Sequence, residues 1–343
     1  MAKQQRIDPK LIERNAAKAA ARKAAQSKSR GKSGRPGGRP AEQVPPATLG
    51  TWIAGARPQT LALAVAPVVL GTGAASLLTD HWYDHWVRAL LALAVALALQ
   101  IGVNYANDYS DGVRGTDRNR IGPQRLVGSG RAKPRHVLIV ALVFFGIAVV
   151  AGATLIVLSG QYWLFAGGVV ALAAAWFYTG GPKPYGYSGF GELVVFLFFG
   201  AVPVAGTMFT QVGTVNIEAW VGGAGLGLIA AAVLMVNNLR DRDRDAAVGK
   251  RTLAVLLGDL GSRVLYIVLM LLPFGALAFY VIFYDYTIFV FFIALAALPA
   301  MLIVATAKTS REYLTALRLT LLCGLAFGVG MGAVLAFDGI LWV

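Results

Sequence analysis

The sequence predicts an all-α, polytopic membrane protein. Three observations carry that expectation: a deficit of charge, a series of apolar runs of spanning length, and an alternation of basic loops. Of 343 residues, 57% are hydrophobic and 14% charged, with a mean hydropathy of +0.63. A soluble domain normally carries about a quarter charged residues. A helix needs about 20 apolar residues to cross the bilayer core. Runs of that kind fall near 58–79, 87–108, 136–158, 162–179, 190–210, 219–239, 262–283, 286–307 and 317–337, which makes nine spans. Gly and Ala within them, as in GGAGLGLIAAA, let helices approach closely in lipid.

Taken in order, the chain begins with residues 1–48, where Lys and Arg are opposed only by Asp8, Glu13 and Glu42. Asp8 and Pro9 are placed to start a short helix. The Gly/Ser/Pro-rich SKSRGKSGRPGGRP that follows has almost nothing apolar to bury, and such a segment stays disordered. No apolar h-region is present, so this is not a secretory signal peptide. The expectation is a basic cytoplasmic tail drawn to anionic lipid, at about 1 kcal/mol per basic residue near the surface, and no nucleic-acid partner despite a formal charge of +14. Residues 49–343 then form the transmembrane domain. With the tail cytoplasmic, the loops after spans two, four, six and eight carry Arg114 to Arg135, Lys183, Arg240 to Arg263, and Lys308 to Arg318. The other side has Asp80, Asp84, Glu218, Asp285 and Asp338 but one basic residue, Arg88. Positive residues favour the cytoplasmic side, so the N-terminus is expected inside and the C-terminus outside. The single cysteine, Cys323, excludes a disulfide framework.

Two acidic segments share one surface in this topology. NYANDYSDGVRGTDRNR follows span two, and NNLRDRDRDAAVGKRTLAVLLG follows span six. Asn104, Asp108 and Asp111 stand at i, i+4 and i+7, on one helical face, and Asn237, Asp241 and Asp245 repeat the i, i+4 step. A solvated rim, an ion pathway, or sites for hard divalent cations would each place aspartates here. Like charges at i, i+4 repel unless a cation or basic group sits between them. Carboxylates amid Arg and Lys, without His or Cys ligands, suit magnesium and a phosphate-rich anion. No Walker-type phosphate loop or dinucleotide fingerprint is present. A diphosphate-lipid enzyme and an ion-coupled transporter both remain open at this point.

Asn107-Asp108-Tyr109-Ser110-Asp111 and Asp241-x-x-x-Asp245 resemble the two aspartate-rich motifs of the UbiA superfamily of intramembrane prenyltransferases. The first motif is often written NDxxDxxxD; here its last position is Gly115, with an acid at Asp117 instead. That form, NDYxDGVxGxD, is similar to the branch that prenylates 1,4-dihydroxy-2-naphthoate in menaquinone synthesis. ARPQTLALAVAPVVLGT, IGPQRLVGSG and FYTGGPKPYGYSGFGELVVFLFFG resemble further segments of that branch, and the similarity runs from about residue 50 to the C-terminus.

The resemblance implies a nine-helix bundle around a central cavity, capped on the cytoplasmic side by the loops after helices two and six, in a bacterial-type cell membrane. It implies transfer of a polyprenyl group from polyprenyl diphosphate to 1,4-dihydroxy-2-naphthoate, with decarboxylation to demethylmenaquinol. It also implies Mg2+ held by Asp108, Asp111, Asp117, Asp241 and Asp245. Asn104, Asn107 and Asn238 are candidates for coordination or phosphate contacts, with helix capping as the alternative for the last two. Arg125, Lys133 and Lys250 are candidates for diphosphate oxygens, and Tyr178 and Lys183 for the acceptor. Tyr185 and Tyr187 fit either the same mouth or an interfacial belt. Arg57 is expected as an interfacial anchor, with a substrate contact as the alternative, and Glu192, near a helix start, as a partner of the helix dipole.

Overall fold

The computed structural model describes residues 44–79, 85–115, 125–178, 180–181 and 184–341. Among them there is no strand. In chain order the helices are α1 (Leu49–Ser76), α2 (Trp86–Arg114), α3 (Pro134–Ser159), α4 (Leu164–Phe177), α5 (Gly191–Val212), α6 (Ile217–Ala247), α7 (Leu253–Val281), α8 (Asp285–Thr306) and α9 (Ser310–Leu341). All but α4 are long and apolar enough to cross a membrane, eight helices among the described residues, and the chain is a multi-pass membrane protein.

The fourth expected span, 162–179, differs from the others. Its helix α4 has 14 residues, about 21 Å at 1.5 Å per residue, against a hydrocarbon core of about 30 Å. A left-handed Gly160 and a turn through Trp163 delay its start, and the left-handed Gly181 follows its end.

Three other helices are interrupted where the sequence reads as continuous. In α1, Arg57 takes a left-handed conformation, φ 54° and ψ 65°, just before Pro58. A residue preceding proline is disfavoured in the right-handed helical region, so the helix breaks there. Thr60 then secures the break, its N–H and Oγ1 donating to the Arg57 carbonyl at 2.8 and 2.9 Å. α5 contains a π-turn, Leu197–Ala201. α7 bends at Gly258, with φ 71° and ψ −172°.

Residues 46–343 form one compact unit, with α6 at its centre. A share of 72% of its apolar window is buried, against 22% for α2. Leu226, Ile229, Met235 and Val236 of α6 are almost fully enclosed. α5 and α6 meet backbone to backbone: a Cβ on Gly200 would stand 2.3 Å from the Gly227 Cα, so only glycine fits this crossing. With 29 and 31 residues, α2 and α6 are about 44 and 46 Å long. Both outrun the hydrocarbon core, and their final turns carry the acidic motifs on helix.

Candidate active site

The three motif positions on α2 meet three different environments. Asn104 donates through Nδ2 to the Ala56 carbonyl (2.9 Å) and to Thr60 Oγ1 (3.2 Å), which ties α2 to the break in α1. Asp108, 1% exposed, accepts from the backbone N–H groups of Leu126 (2.7 Å) and Val127 (3.1 Å). Its two oxygens thereby fix the turn that follows Arg125. Gly112 allows this turn to lie against α2, because a Cβ there would fall 2.3 Å from Val127 Cγ1. Asp111, one turn on, accepts from the Tyr187 hydroxyl at 2.7 Å and from Arg125 Nη2 at 3.3 Å. The Arg125–Asp111 pair is buried on both sides. Such a pair is costly to desolvate, which marks a functional centre more than a stabilising one.

The α6 motif is held differently. Arg240 grips Asp241 in a bidentate pair, Nε–Oδ1 2.9 Å and Nη2–Oδ2 2.7 Å. Lys250 reaches Asp245 at 3.7 Å. Asn237 caps locally onto the Val233 carbonyl (3.1 Å), and Asn238 donates to Glu192 Oε1 of α5 at 2.9 Å.

Tyr187 joins the two halves. Besides its bond to Asp111, its ring lies under the Lys250 ammonium, 4.2 Å from the centroid, and its carbonyl accepts from the Arg251 N–H at 3.0 Å. Arg114 approaches the same ring and donates to the Gly181 carbonyl. Burial, then the charge and hydrogen bond of Asp111, push the Tyr187 phenol well above its ordinary range, with Arg114 opposing. Tyr185, whose hydroxyl donates to the Ala174 carbonyl at 2.6 Å, is pushed up to about 12 by burial. Both phenols keep their protons at neutral pH and act as donors.

Between these elements lies a polar cavity of about 160 Å3. From the expected set it is lined by Asn107, Asp111, Arg125, Tyr178, Asn238, Asp241, Asp245 and Lys250. Asn104 and Asp108 are not on its wall; both are turned to the protein partners named above. Lys133 is exposed at the start of α3 and also outside it. Asp117 and Lys183 lie outside the described residues.

The cavity also takes in residues expected elsewhere, left between two roles, or not singled out. Arg57, expected at the membrane interface, lines it beside Arg244, Tyr187 and Thr252. The pre-proline position of Arg57 was the available signal, since a break there redirects the side chain. Nothing in PYGYSGFGE marked Tyr187 as the partner of Asp111.

Among the described residues no three His, Cys, Asp or Glu side chains gather closely enough to hold a metal ion alone. Magnesium, however, is usually held by one or two carboxylates plus phosphate oxygens and water. The oxygen donors lining the cavity, Asp111, Asp241, Asp245, Asn107, Asn237 and Asn238, suit a hard cation shared with a diphosphate.

Residues 64–327 match the model of the UbiA prenyltransferase family. The chain belongs to that family. As a UbiA member it is 48% identical over 295 residues to the 1,4-dihydroxy-2-naphthoate octaprenyltransferase of Mycobacterium tuberculosis, covering 85% of this chain and 98% of that protein. Its fold is that of solved UbiA homologues. The apo structure from Aeropyrum pernix K1 superimposes with a TM-score of 0.61 at 18% identity, over 80% of this chain and 96% of that one. A homologue from Archaeoglobus fulgidus bound to DMAPP and Mg2+ gives 0.59 at 15% identity, over 85% and 100%.

Proposed function

We propose that this protein is a Mg2+-dependent prenyltransferase that moves a polyprenyl group from polyprenyl diphosphate to 1,4-dihydroxy-2-naphthoate. The observation that carries the reading is the cavity in which Asp111 of α2 faces Asp241 and Asp245 of α6 among Arg57, Arg125, Arg244 and Lys250. The acceptor is supported by 48% identity across nearly the whole length of the naphthoate octaprenyltransferase.

In the reaction the allylic C–O bond breaks, with its electron pair leaving on the diphosphate, and a C–C bond forms to the ring. The ring's carboxylate leaves as carbon dioxide and its C–C electron pair stays with the ring, so demethylmenaquinol and diphosphate result with no net proton released. The barrier lies in charge building on the leaving group, and preorganised charge is the usual remedy, worth about 10²–10³-fold for a single donor. Arg125 and Lys250, each held by an aspartate, present N–H groups to the diphosphate oxygens without needing to reorganise. Magnesium, when bound through Asp111, Asp241 and Asp245 with Asn107 and Asn238 beside them, supplies further neutralisation of that charge. Asp117 joins this set in the proposal, and Asp108 serves it through the Arg125 turn. Tyr178 and Lys183 serve the acceptor. A cavity of about 160 Å3 equals roughly five water volumes at ~30 Å3 each, enough for a polar head but not for a polyprenyl chain, which then extends among the helices into lipid.

The site belongs to the cytoplasmic face of a bacterial cell membrane, N-terminus inside and C-terminus outside, an arrangement in which α4 crosses as the ninth span, with the segments after α2 and α6 as its cap. The basic residues Arg131, Lys133, Arg135, Arg242 and Arg251 near this end support that orientation. The test is purified protein in detergent with Mg2+, a polyprenyl diphosphate and a panel of aromatic acceptors, with products identified by mass spectrometry. Turnover of 1,4-dihydroxy-2-naphthoate is expected. Turnover of 4-hydroxybenzoate or homogentisate instead would refute the acceptor.

A further inference from the structure

Glu192 stands on α5 behind the cavity wall and is 6% exposed. Its Oε1 accepts from Asn238 Nδ2 at 2.9 Å, while its Oε2 has no hydrogen-bond partner among the described residues. A role as a helix-dipole partner does not account for this placement. A carboxylate at the start of a membrane helix satisfies the dipole equally well facing water, and burial costs it several kcal/mol unless its hydrogen bonds serve a purpose.

The purpose is visible in Asn238. This residue lines the cavity with Asp241 and Asp245, whereas Glu192 does not. A carboxamide has one face that donates and one that accepts, and a carboxylate can only accept. Glu192 therefore takes the NH2 of Asn238, which turns its carbonyl Oδ1 to the other branch. Left alone on a helix, an asparagine can rotate by half a turn about its last bond and present either group. Its neighbour Asn237, also on the cavity wall, gives its Nδ2 to the Val233 carbonyl of its own helix, so Asn238 is the α6 carboxamide held from another helix.

We propose that Glu192 is a positioning residue, acting through Asn238 to hold a neutral carbonyl oxygen toward the divalent cation and diphosphate in the cavity. Amide nitrogen there would repel a cation, and free rotation would leave the oxygen available only part of the time. The assignment rests on the cation–diphosphate reading of the site. It adds a residue from α5 that touches neither substrate nor metal, in the way that outer partners orient metal ligands elsewhere.

The test measures binding without turnover. Geranyl diphosphate with sulfur in place of its bridging oxygen, which ionises slowly, is titrated calorimetrically into detergent-purified protein over a series of Mg2+ concentrations. Glu192→Met is expected to raise the Mg2+ needed for half-maximal binding by about 10–100-fold. Asn238→Asp, which sets two acceptors face to face, is expected to do the same. The combined Glu192→Gln/Asn238→Asp variant exchanges amide and carboxylate and restores one donor to one acceptor. It is expected to recover at least about tenfold relative to Asn238→Asp alone, a recovery that mere packing damage would not show. A combined variant no better than Asn238→Asp overturns the positioning role, as does an unchanged Mg2+ requirement in a folded Glu192→Met. If Glu192→Met does not fold, the exchange pair decides alone. Failure of the original protein to bind the analogue in a Mg2+-dependent way would instead overturn the cation–diphosphate reading.

Discussion

The acidic stretches at the ends of α2 and α6 have the same spacing and different uses. On α2, Asn104 and Asp108 serve the fold, one gripping the break in α1 and the other the Leu126–Val127 turn. Of these three positions, Asp111 alone faces the cavity, with its partners Tyr187 and Arg125. On α6, Asp241 and Asp245 both line the cavity, each held by a basic residue close in sequence. Equal i, i+4 spacing puts side chains on one face; what packs on that face decides which of them reach the site.

The largest expected effect comes from breaking the shared function. Asp111→Asn, Asp241→Asn or Asp245→Asn each lower kcat by about 10²–10³-fold or more in the naphthoate assay; melting temperature stays nearly unchanged in the two α6 variants and falls in Asp111→Asn, which leaves the buried Arg125 without its carboxylate. Full activity in any of them would remove that carboxylate from the proposed clamp.

The contrast itself is tested by Asp108→Ala. Losing two hydrogen bonds to a buried carboxylate costs about 1.5–3 kcal/mol each at most. Thermal unfolding is expected to fall clearly along with activity, unlike the Asp241 variants. A variant with unchanged stability and lost activity would show that Asp108 acts in the chemistry directly.

Tyr187→Phe removes one hydrogen bond to Asp111 and keeps the ring under Lys250. A loss of about 1 kcal/mol, roughly fivefold in kcat/KM, is expected. The pH dependence follows from the raised phenol. Its stabilisation is fully present below the ordinary tyrosine value of 10.0 and is lost as pH rises through its higher value in the folded protein. Stability curves of the original and Tyr187→Phe proteins should therefore run parallel through neutral pH and converge only above about pH 10. Convergence near pH 7 would contradict the hydrogen bond.

The smallest effect belongs to Lys133. Because it is exposed and off the cavity wall, Lys133→Ala should alter kcat/KM by less than about twofold. A tenfold loss would restore it to the diphosphate site.

Much of this protein is legible in the residue order alone. Apolar runs specify membrane helices because the bilayer leaves the backbone few other ways to satisfy its hydrogen bonds. α4 is shorter than its apolar run because glycines and a turn, not hydropathy, set its ends. Asp111, Asp241, Asp245, Arg125 and Lys250 were all readable as members of one site, since helical spacing and local charge are properties of short segments. The roles of Arg57, Tyr187 and Glu192 were not settled there. Each reaches the site through a partner more than 40 positions away or through a backbone break, as Glu192 does through Asn238.

The sequence by itself determined the membrane class, the α-helical architecture and the two acidic stretches, because hydropathy and periodicity act locally. Only the tertiary structure decided that Asp108 holds a turn while Asp111 faces the cavity, and that Asn238 has its amide fixed from α5. Those assignments depend on which donor lies within 3 Å or so of each oxygen, and that distance is set by helix packing rather than by spacing along the chain.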